Sequence, residues 1–479
     1  MPAGVVNQRA QAVSHHLSPH FDVGYPSQSF LFLKTLKEDS KATQQHVAQA
    51  KLPLRIVVVG AGLGGLATAI ALARRGHSVE VLEQASQLGE VGAGIQVPPN
   101  SCLLLQRWGV LEHLGPHAVC PESIKFRKWS NGETVGYTEL RDMEHDFGAA
   151  YLVCHRADLH RSLLATAVNL GVEIRLDSKV TNYDAMDASV QLSNGSRIAG
   201  DLIIGADGIH SHARAAVLPE MGPEPKRTEF AAYRATIEVR KMKADPALRW
   251  LLDKPSLHIW IGDGSHVMAY TISRGEAFNM VLCHADQSDP ATWTQDTAVT
   301  DMKNHFASWD PQLVKLTSMI DSCLKWPLKT GARLRTWIHP LSKMLILGDA
   351  AHAMLPYMSQ GAAMAVEDGA ALAVALNDAA DRSEIPAAMQ SFEAERMERS
   401  TAMQEASRAN GIIWHYEDGP EQIARDQGMR AEVEGRPFSW SSNQWSDPVT
   451  SWWTYGYDAE ERMARAMRVG KVSKIDVTA

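Results

Sequence analysis

The feature that most constrains the fold of this chain is a glycine pattern lying between two predicted strands. A β-branched run, RIVVV, leads directly into Gly60, Gly62 and Gly65, and a stretch of helical composition follows. A second predicted strand, SVEVLEQ, then carries Glu83 near its end. The order strand, G-x-G-x-x-G, helix, strand and acid is typical of a dinucleotide-binding βαβ unit. The apolar first strand also indicates burial on both faces of a parallel sheet.

Each residue of this pattern has a mechanical role in such a unit. Gly60 permits a tight turn, Gly62 lets a diphosphate approach the backbone, and Gly65 lets the helix pack closely on the strand. The helix N-terminus faces the diphosphate charge, while Glu83 accepts hydrogen bonds from an adenosine ribose. An acid at this position disfavours a 2′-phosphorylated ligand. The pattern therefore predicts NAD or FAD and does not choose between them.

Composition excludes several other classes of protein. The chain has 479 residues, of which 45% are hydrophobic and 21% are charged, so it has room for two domains. The net charge is −8 and no basic block stands out, which disfavours nucleic-acid binding. The five cysteines are scattered without C-x-x-C spacing, which indicates a reduced, cytoplasmic protein with no metal site. No apolar run reaches the ~18 residues that a membrane span requires.

Two further strand ends distinguish between the two cofactors. The stretch DLIIGADGIHSHAR is a predicted buried strand that ends at Asp207 and Gly208. Much later, the run MLIL leads to Asp349, and a helix is predicted to begin near Gly361 and Ala362. A nicotinamide dehydrogenase has no use for a third motif so far beyond the first glycines. A longer cofactor does, so the three motifs together predict FAD.

In this order, the three motifs resemble the fingerprint of the class A FAD-dependent aromatic monooxygenases, and within them the salicylate-hydroxylase-like group with its fungal, phenol-hydroxylating and dearomatising members. The matching region spans about residues 54–460. It includes GEVGAGIQVPPNS, HRADLHRSLL, SRANGIIWHYEDGPEQ and WWTYGYDAE. The resemblance implies an α/β fold with a Rossmann-like FAD-binding domain, an inserted antiparallel β-sheet substrate domain and a helical C-terminal region.

We expect five segments along the chain. Residues 1–52 are predicted to be a mostly disordered extension, and residues 53–225 to form the first part of the FAD-binding domain. Residues 226–333 alternate with β periodicity and are predicted to form the substrate-binding sheet, a roof over the flavin. Residues 334–385 complete the FAD-binding domain, and residues 386–479 form the helical C-terminal region.

The resemblance assigns roles to residues near the flavin ring. Asp349 would hydrogen-bond the ribityl hydroxyls. Gly361 and Ala362 would present backbone N–H groups and a positive helix end to the pyrimidine edge of the flavin. His352 follows Asp349 closely and invites a catalytic reading, but a histidine at a helix mouth is more often packed, and the family does not depend on a base there.

Other residues would line the remainder of the cofactor. Arg156 would lie along it, and the segment from Gly94 to Gln96 would line its far side. Asp207 and Gly208 would touch both FAD and the nicotinamide donor. The resemblance implies that FAD is tightly and non-covalently bound, with NADPH or NADH as a transient electron donor.

The substrate site is expected on the roof sheet. In this family the oxygen donor is a flavin C4a-hydroperoxide, whose electrophilic oxygen reacts best with a phenolate, so a fixed cation is required. Arg234, in AAYRATI, matches the phenolate-binding arginine of relatives, and Tyr270, in HVMAYTIS, matches the tyrosine opposite it. Both are candidate catalytic residues. The plainer interpretations are a solvent-facing Arg234 and a core Tyr270, because Tyr233 and Arg234 must point to opposite faces of the strand.

The expected function is hydroxylation of a small phenolic substrate with O2 and NAD(P)H in fungal secondary metabolism, with oxidative dearomatisation as one outcome. A decarboxylative, salicylate-type hydroxylase is the alternative within the class. A halogenase would carry W-x-W-x-I-P and a disulfide reductase a redox cysteine pair, and neither motif occurs here. An oxidase and a flavin-binding module without activity are two further hypotheses from different classes. A homodimer is compatible with the sequence.

The sequence also departs from the family pattern. Ser359 stands where glycine or alanine is usual before the Q-G-A turn. The tail holds four tryptophans that core packing explains better than a substrate channel does, namely Trp440, Trp445, Trp452 and Trp453.

Overall fold

The computed structural model describes residues 47–89, 93–220 and 225–475. Within these residues the strands are β1 (Arg55–Val59), β2 (Ser78–Leu82), β3 (Gly94–Val97), β4 (Ser123–Lys128), β5 (Thr134–Glu139), β6 (Leu152–His155), β7 (Glu173–Arg175), β8 (Val180–Asp184), β9 (Ser189–Leu192), β10 (Arg197–Ala199), β11 (Leu202–Gly205), β12 (Lys226–Glu238), β13 (Ser256–Gly262), β14 (Ser265–Ile272), β15 (Ala277–Ala285), β16 (Leu324–Thr330) and β17 (Met344–Ile346).

The α-helices of the same residues are α1 (Leu63–Ala73), α2 (Pro99–Arg107), α3 (Val110–Leu114), α4 (Met143–Phe147), α5 (Arg156–Asn169), α6 (His212–Val217), α7 (Val239–Ala244), α8 (Gln295–His305), α9 (Pro311–Ser318), α10 (Asp349–His352), α11 (Gly361–Asn377), α12 (Ile385–Trp414), α13 (Pro420–Val433), α14 (Pro448–Tyr455) and α15 (Ala459–Ile475).

The first sheet is parallel and brings the three cofactor motifs to one edge. Its strand order is β17-β11-β1-β2-β7, and Val59 pairs with both Leu82 and Gly205. The β-branched run of β1 is buried because the sheet lies inside the main core cluster. Since parallel strands end at the same edge, the turns after β1, β11 and β17 converge there. This is the doubly wound arrangement expected from the sequence.

A second, seven-stranded sheet forms the roof. Its order is β16-β12-β15-β14-β13-β4-β5, and all its pairs are antiparallel except β13 with β4. The strands predicted within residues 226–286 appear as β12 to β15. Strands β4 and β5 come from the segment 53–225, so that segment contributes two strands to the roof as well as the first sheet. One face of the roof packs on α8 and α9.

Helices complete the molecule and connect its two sheets. The buried helix α11 crosses α1 at very short distance, because a Cβ atom added to Gly369 would lie 2.7 Å from the Cα of Thr68. Helix α12 has 30 residues and leads to the remaining C-terminal helices. In the described part of the chain, no helix combines the length and the apolar character that crossing a membrane requires.

The predicted N-terminal extension falls mostly outside the described residues, which begin at residue 47. The part of it that is described packs on the first domain. The backbone N–H of Ala50 donates to the carbonyl of Arg75 at 2.8 Å, and that of Lys51 donates to the carbonyl of Asn377 at 3.1 Å.

Candidate active site

A cavity of about 320 Å³ lies where the motif edge of the first sheet meets the roof. It is lined by ten of the fourteen site residues predicted from the sequence: Gly62, Gly94, Gln96, Arg156, Gly208, Arg234, Tyr270, Asp349, Gly361 and Ala362. Of the other four, Gly60 and Asp207 lie in the turns after β1 and β11, Gly65 lies in the first turn of α1, and Glu83 directly follows β2. Residues from distant parts of the chain therefore meet in one place.

The first glycine turn has the shape that a diphosphate requires. Gly60 has a φ of +107°, and a Cβ atom there would lie 2.4 Å from the carbonyl oxygen of Ala206. A Cβ atom on Gly65 would lie 1.9 Å from the carbonyl oxygen of Gly60. At Gly62, by contrast, an added Cβ atom meets no described protein atom within 4 Å. Two glycines thus make the turn possible, and the third leaves open space at the start of α1.

Two carboxylates hold these turns. Glu83 accepts hydrogen bonds from the backbone N–H groups of Ala61 and Ala85, each at 2.9 Å. Asp207 accepts from the backbone N–H groups of His212 at 2.8 Å and Ala213 at 3.0 Å. An ionised carboxylate has about four acceptor positions, so Glu83 retains capacity for a ribose hydroxyl.

The third motif presents an exposed carboxylate to the cavity. Gly348 has a φ of +60°, which turns the chain so that Asp349 faces the cavity at the start of α10. Helix α11 begins at Gly361 on the same wall and has no side-chain cap. Its first N–H groups therefore remain available to an electronegative group in the cavity.

A buried ionic network, formed by Glu367, Asp368, Arg396 and Arg399, supports this wall. Arg396 donates to Asp368 at 2.9 Å and to Glu367 at 2.6 Å, and Arg399 donates to both oxygens of Glu367. Asp368 in turn accepts from the backbone N–H of Gly348 at 3.0 Å. The network therefore fixes the turn that carries Asp349.

His352 belongs to the same network. Its Nε2 lies 2.6 Å from Asp368, it is 2% exposed, and Trp337 packs on its ring. Burial alone would raise the pKa of Asp368, but His352 and Arg396 hold it at about 2. The histidine is packed, as the sequence suggested.

The roof contributes the cationic side of the cavity. Arg234 lies opposite Val281, which lies opposite Met268, so these three side chains share the cavity face. Tyr233 points to the other face and stacks on His284 at 4.6 Å. Burial lowers the pKa of Arg234, Tyr270 raises it and Arg156 lowers it further. Among the residues that the structure describes, none pairs with its guanidinium.

Tyr270 is enclosed beside this cation. Burial raises its pKa well above the usual value, and Arg234 opposes that effect. Its ring leaves no room for a side chain at Gly94, where a Cβ atom would lie 2.7 Å from the tyrosine hydroxyl. Gly94 also donates its N–H to the side-chain oxygen of Asn279 at 2.7 Å. Gln96 accepts a hydrogen bond from Tyr151 at 2.6 Å.

Sequence reasoning missed two residues of the site, Asn279 and His266. Asn279 holds Gly94 against the roof, and His266 lines the cavity on the strand of Tyr270. Residues four apart on a strand share a face, so alternation alone could have indicated His266. Ser359, which the sequence singled out where glycine or alanine is usual, has a φ of +54°, a conformation that glycine adopts most readily.

The tail tryptophans lie in packing positions or at a separate surface. Trp445 is 1% exposed in the core beside the cavity, and Trp440 lies near Gly428. Trp452 and Trp453 border a groove along α12. This agrees with core packing for Trp445 and places the others away from the ten residues above.

The geometry agrees with what related proteins show. The family described as FAD binding domain matches residues 54–407 of the chain. This chain belongs to the class A FAD-dependent aromatic monooxygenases. It is 34% identical over 410 residues to the FAD-dependent monooxygenase OpS4 of Beauveria bassiana, covering 85% of this chain and 96% of the relative.

Two further relatives extend the comparison to hydroxylases. The monooxygenase is 30% identical over 418 residues to a 3-hydroxybenzoate 6-hydroxylase of Polaromonas naphthalenivorans, covering 86% of this chain and 98% of the relative. Its fold matches a solved salicylate hydroxylase substrate complex with a TM-score of 0.69 at 25% identity, covering 86% of this chain and 98% of that one. The cofactor of this monooxygenase is FAD.

Alanine at two glycines of the first turn should separate cofactor binding from folding. Gly62→Ala is expected to weaken FAD binding about 10- to 100-fold, because overpacking costs about 1–3 kcal/mol and the new methyl group points into cofactor space. It should leave the apoprotein's stability unchanged, since Gly62 has an ordinary φ of −71°. FAD fluorescence titration and the urea midpoint of the apoprotein measure the two effects.

Gly65→Ala is the matched comparison, because its methyl group would strike the backbone of Gly60. It should lower the urea midpoint of the apoprotein as well as FAD affinity. Equal loss of apoprotein stability in both variants would contradict this division of roles.

Proposed function

We propose that this monooxygenase hydroxylates a phenol, with Arg234 and Tyr270 holding the substrate as its phenolate. In the balanced reaction, NADPH or NADH supplies two electrons, one oxygen atom of O2 enters the ring, and the other leaves as water. The nicotinamide donor is typical of the family. The similarity to a fungal monooxygenase favours a role in fungal secondary metabolism.

The observation that carries this proposal is the unpaired guanidinium of Arg234 on the cavity face. A partly buried cation without a partner is unfavourable by itself, since burial disfavours charge. Its presence is accounted for if an anionic ligand completes the pair. Arginine stays charged and can bind an oxygen anion through two N–H groups, so it favours the ionised and more electron-rich form of a phenol.

Tyr270 supplies a second, neutral donor to the same oxygen. Because burial raises its pKa, the hydroxyl stays protonated at neutral pH and can donate a hydrogen bond. Arg234 and Tyr270 would then hold the phenolate from two directions. Met268, Val281 and Leu355 form apolar walls of the cavity and would confine the aromatic ring of the substrate.

The cofactor residues fit the opposite wall. We assign Asp349 to the ribityl hydroxyls, Gly361 and Ala362 to the pyrimidine edge, and Arg156 to the length of the cofactor. FAD, when bound, supplies the electron transfer and the oxygen activation. The protein's own contribution is to hold the ring, to keep the phenol ionised and to exclude water.

The remaining residues are assigned to the other parts of the cofactor and to the nicotinamide donor. Gly94 and Gln96 would line the far side of the flavin, while Asp207 and Gly208 would adjoin both FAD and the nicotinamide donor. Glu83 would bind the adenosine ribose. We further propose that FAD is held without a covalent bond.

Product mass tests the proposal. The purified holoenzyme is incubated with NADPH and a panel of salicylates, resorcinols and acyl-resorcinols, and the mass of each product is measured by mass spectrometry. A gain of one oxygen supports hydroxylation. Loss of aromatic absorbance with that gain indicates a dearomatised product, whereas loss of carbon dioxide indicates the decarboxylative alternative. NADPH oxidation without oxygen gain in every compound would contradict the proposal.

A further inference from the structure

A pair of histidines stands at the other end of the substrate wall. His266, Met268 and Tyr270 alternate along β14 and all line the cavity. Four residues of a strand span about 13 Å, so His266 lies about two ring widths from Tyr270 along the strand. It is 3% exposed, and its ring forms part of the cavity lining. The cavity therefore has a second polar end.

His415, at the end of α12, fixes the orientation of His266. The Nδ1 atom of His266 lies 2.8 Å from the Nε2 atom of His415, and the two rings are nearly parallel at 5.1 Å. Phe230 packs against His415 at a tilt of 30° with ring centroids 4.6 Å apart, and Tyr357 meets His266 edge to face. Since Nδ1 of His266 is engaged, Nε2 is the ring nitrogen left for a group in the cavity.

This pair is enclosed and carries no charge at neutral pH. Burial lowers the pKa of His266 well below its ordinary value, and His415 lowers it further. Burial also lowers the pKa of His415 to about 3, with a contribution from Arg425. The pair therefore offers hydrogen bonding without a positive charge.

A metal site is the competing interpretation, because the thiol of Cys283 lies within 4.8 Å of both ring nitrogens. Two imidazoles around a tetrahedral zinc at about 2.0–2.1 Å hold their nitrogens about 3.3 Å apart. The observed 2.8 Å between His266 and His415 is instead the length of a hydrogen bond. The thiol also contacts the hydroxyl of Tyr357 at 3.6 Å.

We propose that the substrate is a phenol whose second substituent is a neutral hydrogen-bonding group, a carbonyl or a hydroxyl, and that His266, oriented by His415, binds that group. This rests on the proposed function, because it takes Arg234 as the site of the phenolate. The phenolate occupies the charged end of the cavity and the second substituent occupies the neutral end.

A carboxylate suits neither end. At His266 it would lie in a dry site without a counter-charge, which is unfavourable. If the carboxylate bound at Arg234, the phenol hydroxyl would lie against His266. Burial lowers the pKa of His266, so this histidine is too weak a base to take the phenolic proton. We therefore expect the substrate of this monooxygenase to carry a neutral second substituent, in contrast to its hydroxybenzoate-hydroxylating relatives.

The test compares three substrates that differ only in the para substituent: phenol, 4-hydroxybenzaldehyde and 4-hydroxybenzoate. We expect the wild-type holoenzyme to prefer the aldehyde over the benzoate in kcat/KM by about 30-fold, as one buried hydrogen bond against an unpaired group implies. His266→Phe should lower kcat/KM for the aldehyde by a similar factor, mainly through KM. It should change kcat/KM for phenol, which has no second substituent, less than about threefold.

His415 is a positioning residue, and two variants test it. His415→Gln keeps a hydrogen-bonding group near His266 and should retain the preference for the aldehyde, whereas His415→Leu should lose it. His284→Phe is the matched control, because His284 lies on the opposite face of the roof against Tyr233. It should leave the preference unchanged.

Binding is followed separately by the change in flavin absorbance, which requires no turnover. One outcome is that no compound gains oxygen, while the aldehyde binds more tightly than the benzoate and this preference is lost in His266→Phe. The proposed hydroxylation would then be wrong, and the assignment of His266 to the second substituent would stand. If the benzoate binds or reacts as well as the aldehyde, the assignment fails even where hydroxylation is observed. One zinc per chain in the wild type, absent from His266→Phe, would also overturn it.

Discussion

Arg234→Ala is expected to lower kcat/KM for phenol hydroxylation by about 10²- to 10³-fold while FAD stays bound, as the loss of one preorganised donor in a dry site usually does. The guanidinium faces the cavity from the roof, and the cofactor motifs lie on the opposite wall. Turnover is measured as product formed per FAD. Arg234→Lys should recover part of the activity, because the charge returns without the planar fork.

The same variant makes a prediction about stability that has the opposite sign. Since burial disfavours the charge of Arg234 and no described residue pairs with it, its removal should leave the melting temperature unchanged or raise it. A fall in the melting temperature would mean instead that the Arg234 side chain makes a stabilising contact in the core. Arg227→Ala, on the same strand, removes a guanidinium that contacts the carbonyl of Asp286 and should leave turnover unchanged.

A pH profile gives a further check on the phenolate. If Arg234 acts by favouring the ionised phenol, Arg234→Ala should regain activity as the pH approaches the pKa of the free phenol, about 10 for a simple one such as a tyrosine side chain. The wild type should show a much smaller rise. Turnover of the variant at wild-type level at neutral pH would remove Arg234 from the mechanism.

Local patterns sufficed for much of this site. The strand, glycine and acid order located the first turn, and the Asp207 and Asp349 turns converge with it because parallel strands share an edge. Alternation along β12 placed Arg234 and Tyr233 on opposite faces, as the structure has them. These inferences depend on neighbours in sequence or on one topological rule, so a single chain carries them.

Contacts between distant segments were not accessible in the same way. His266 and His415 are 149 residues apart and meet only because α12 ends beneath the roof. Strand β4 pairs in parallel with β13, and no local pattern gives the register of such a pair. Asn100 reaches Glu367 across 267 residues. These contacts depend on how whole elements pack, which hydrophobic periodicity alone leaves undetermined.

The buried network behind Asp349 carries the second large prediction. Arg396→Met should destabilise the protein by about 3–5 kcal/mol, the usual loss when one partner of a buried ion pair is removed. Arg396, Glu367 and Asp368 are all fully buried, so the two carboxylates cannot regain water. The urea midpoint measures this. Arg462→Met is the control, because Arg462 is 48% exposed and 3.6 Å from its partner, and it should cost less than about 1 kcal/mol.

Acid should reduce the difference between Arg396→Met and wild type. The wild-type pKa of Asp368, about 2, lies below that of an unfolded aspartate, so its carboxylate stabilises the fold above about pH 4, and this is lost as the pH falls through 2. Without Arg396, the pKa of Asp368 should rise from about 2, although His352 still opposes the effect of burial, so the difference from wild type should shrink as the pH falls from about 4 to 2. FAD affinity should fall as well, because Asp368 holds the N–H of Gly348 in the turn that carries Asp349. If the difference in urea midpoint between Arg396→Met and wild type does not change with pH, the loss of stability comes from packing and not from a buried charge that has lost its partner.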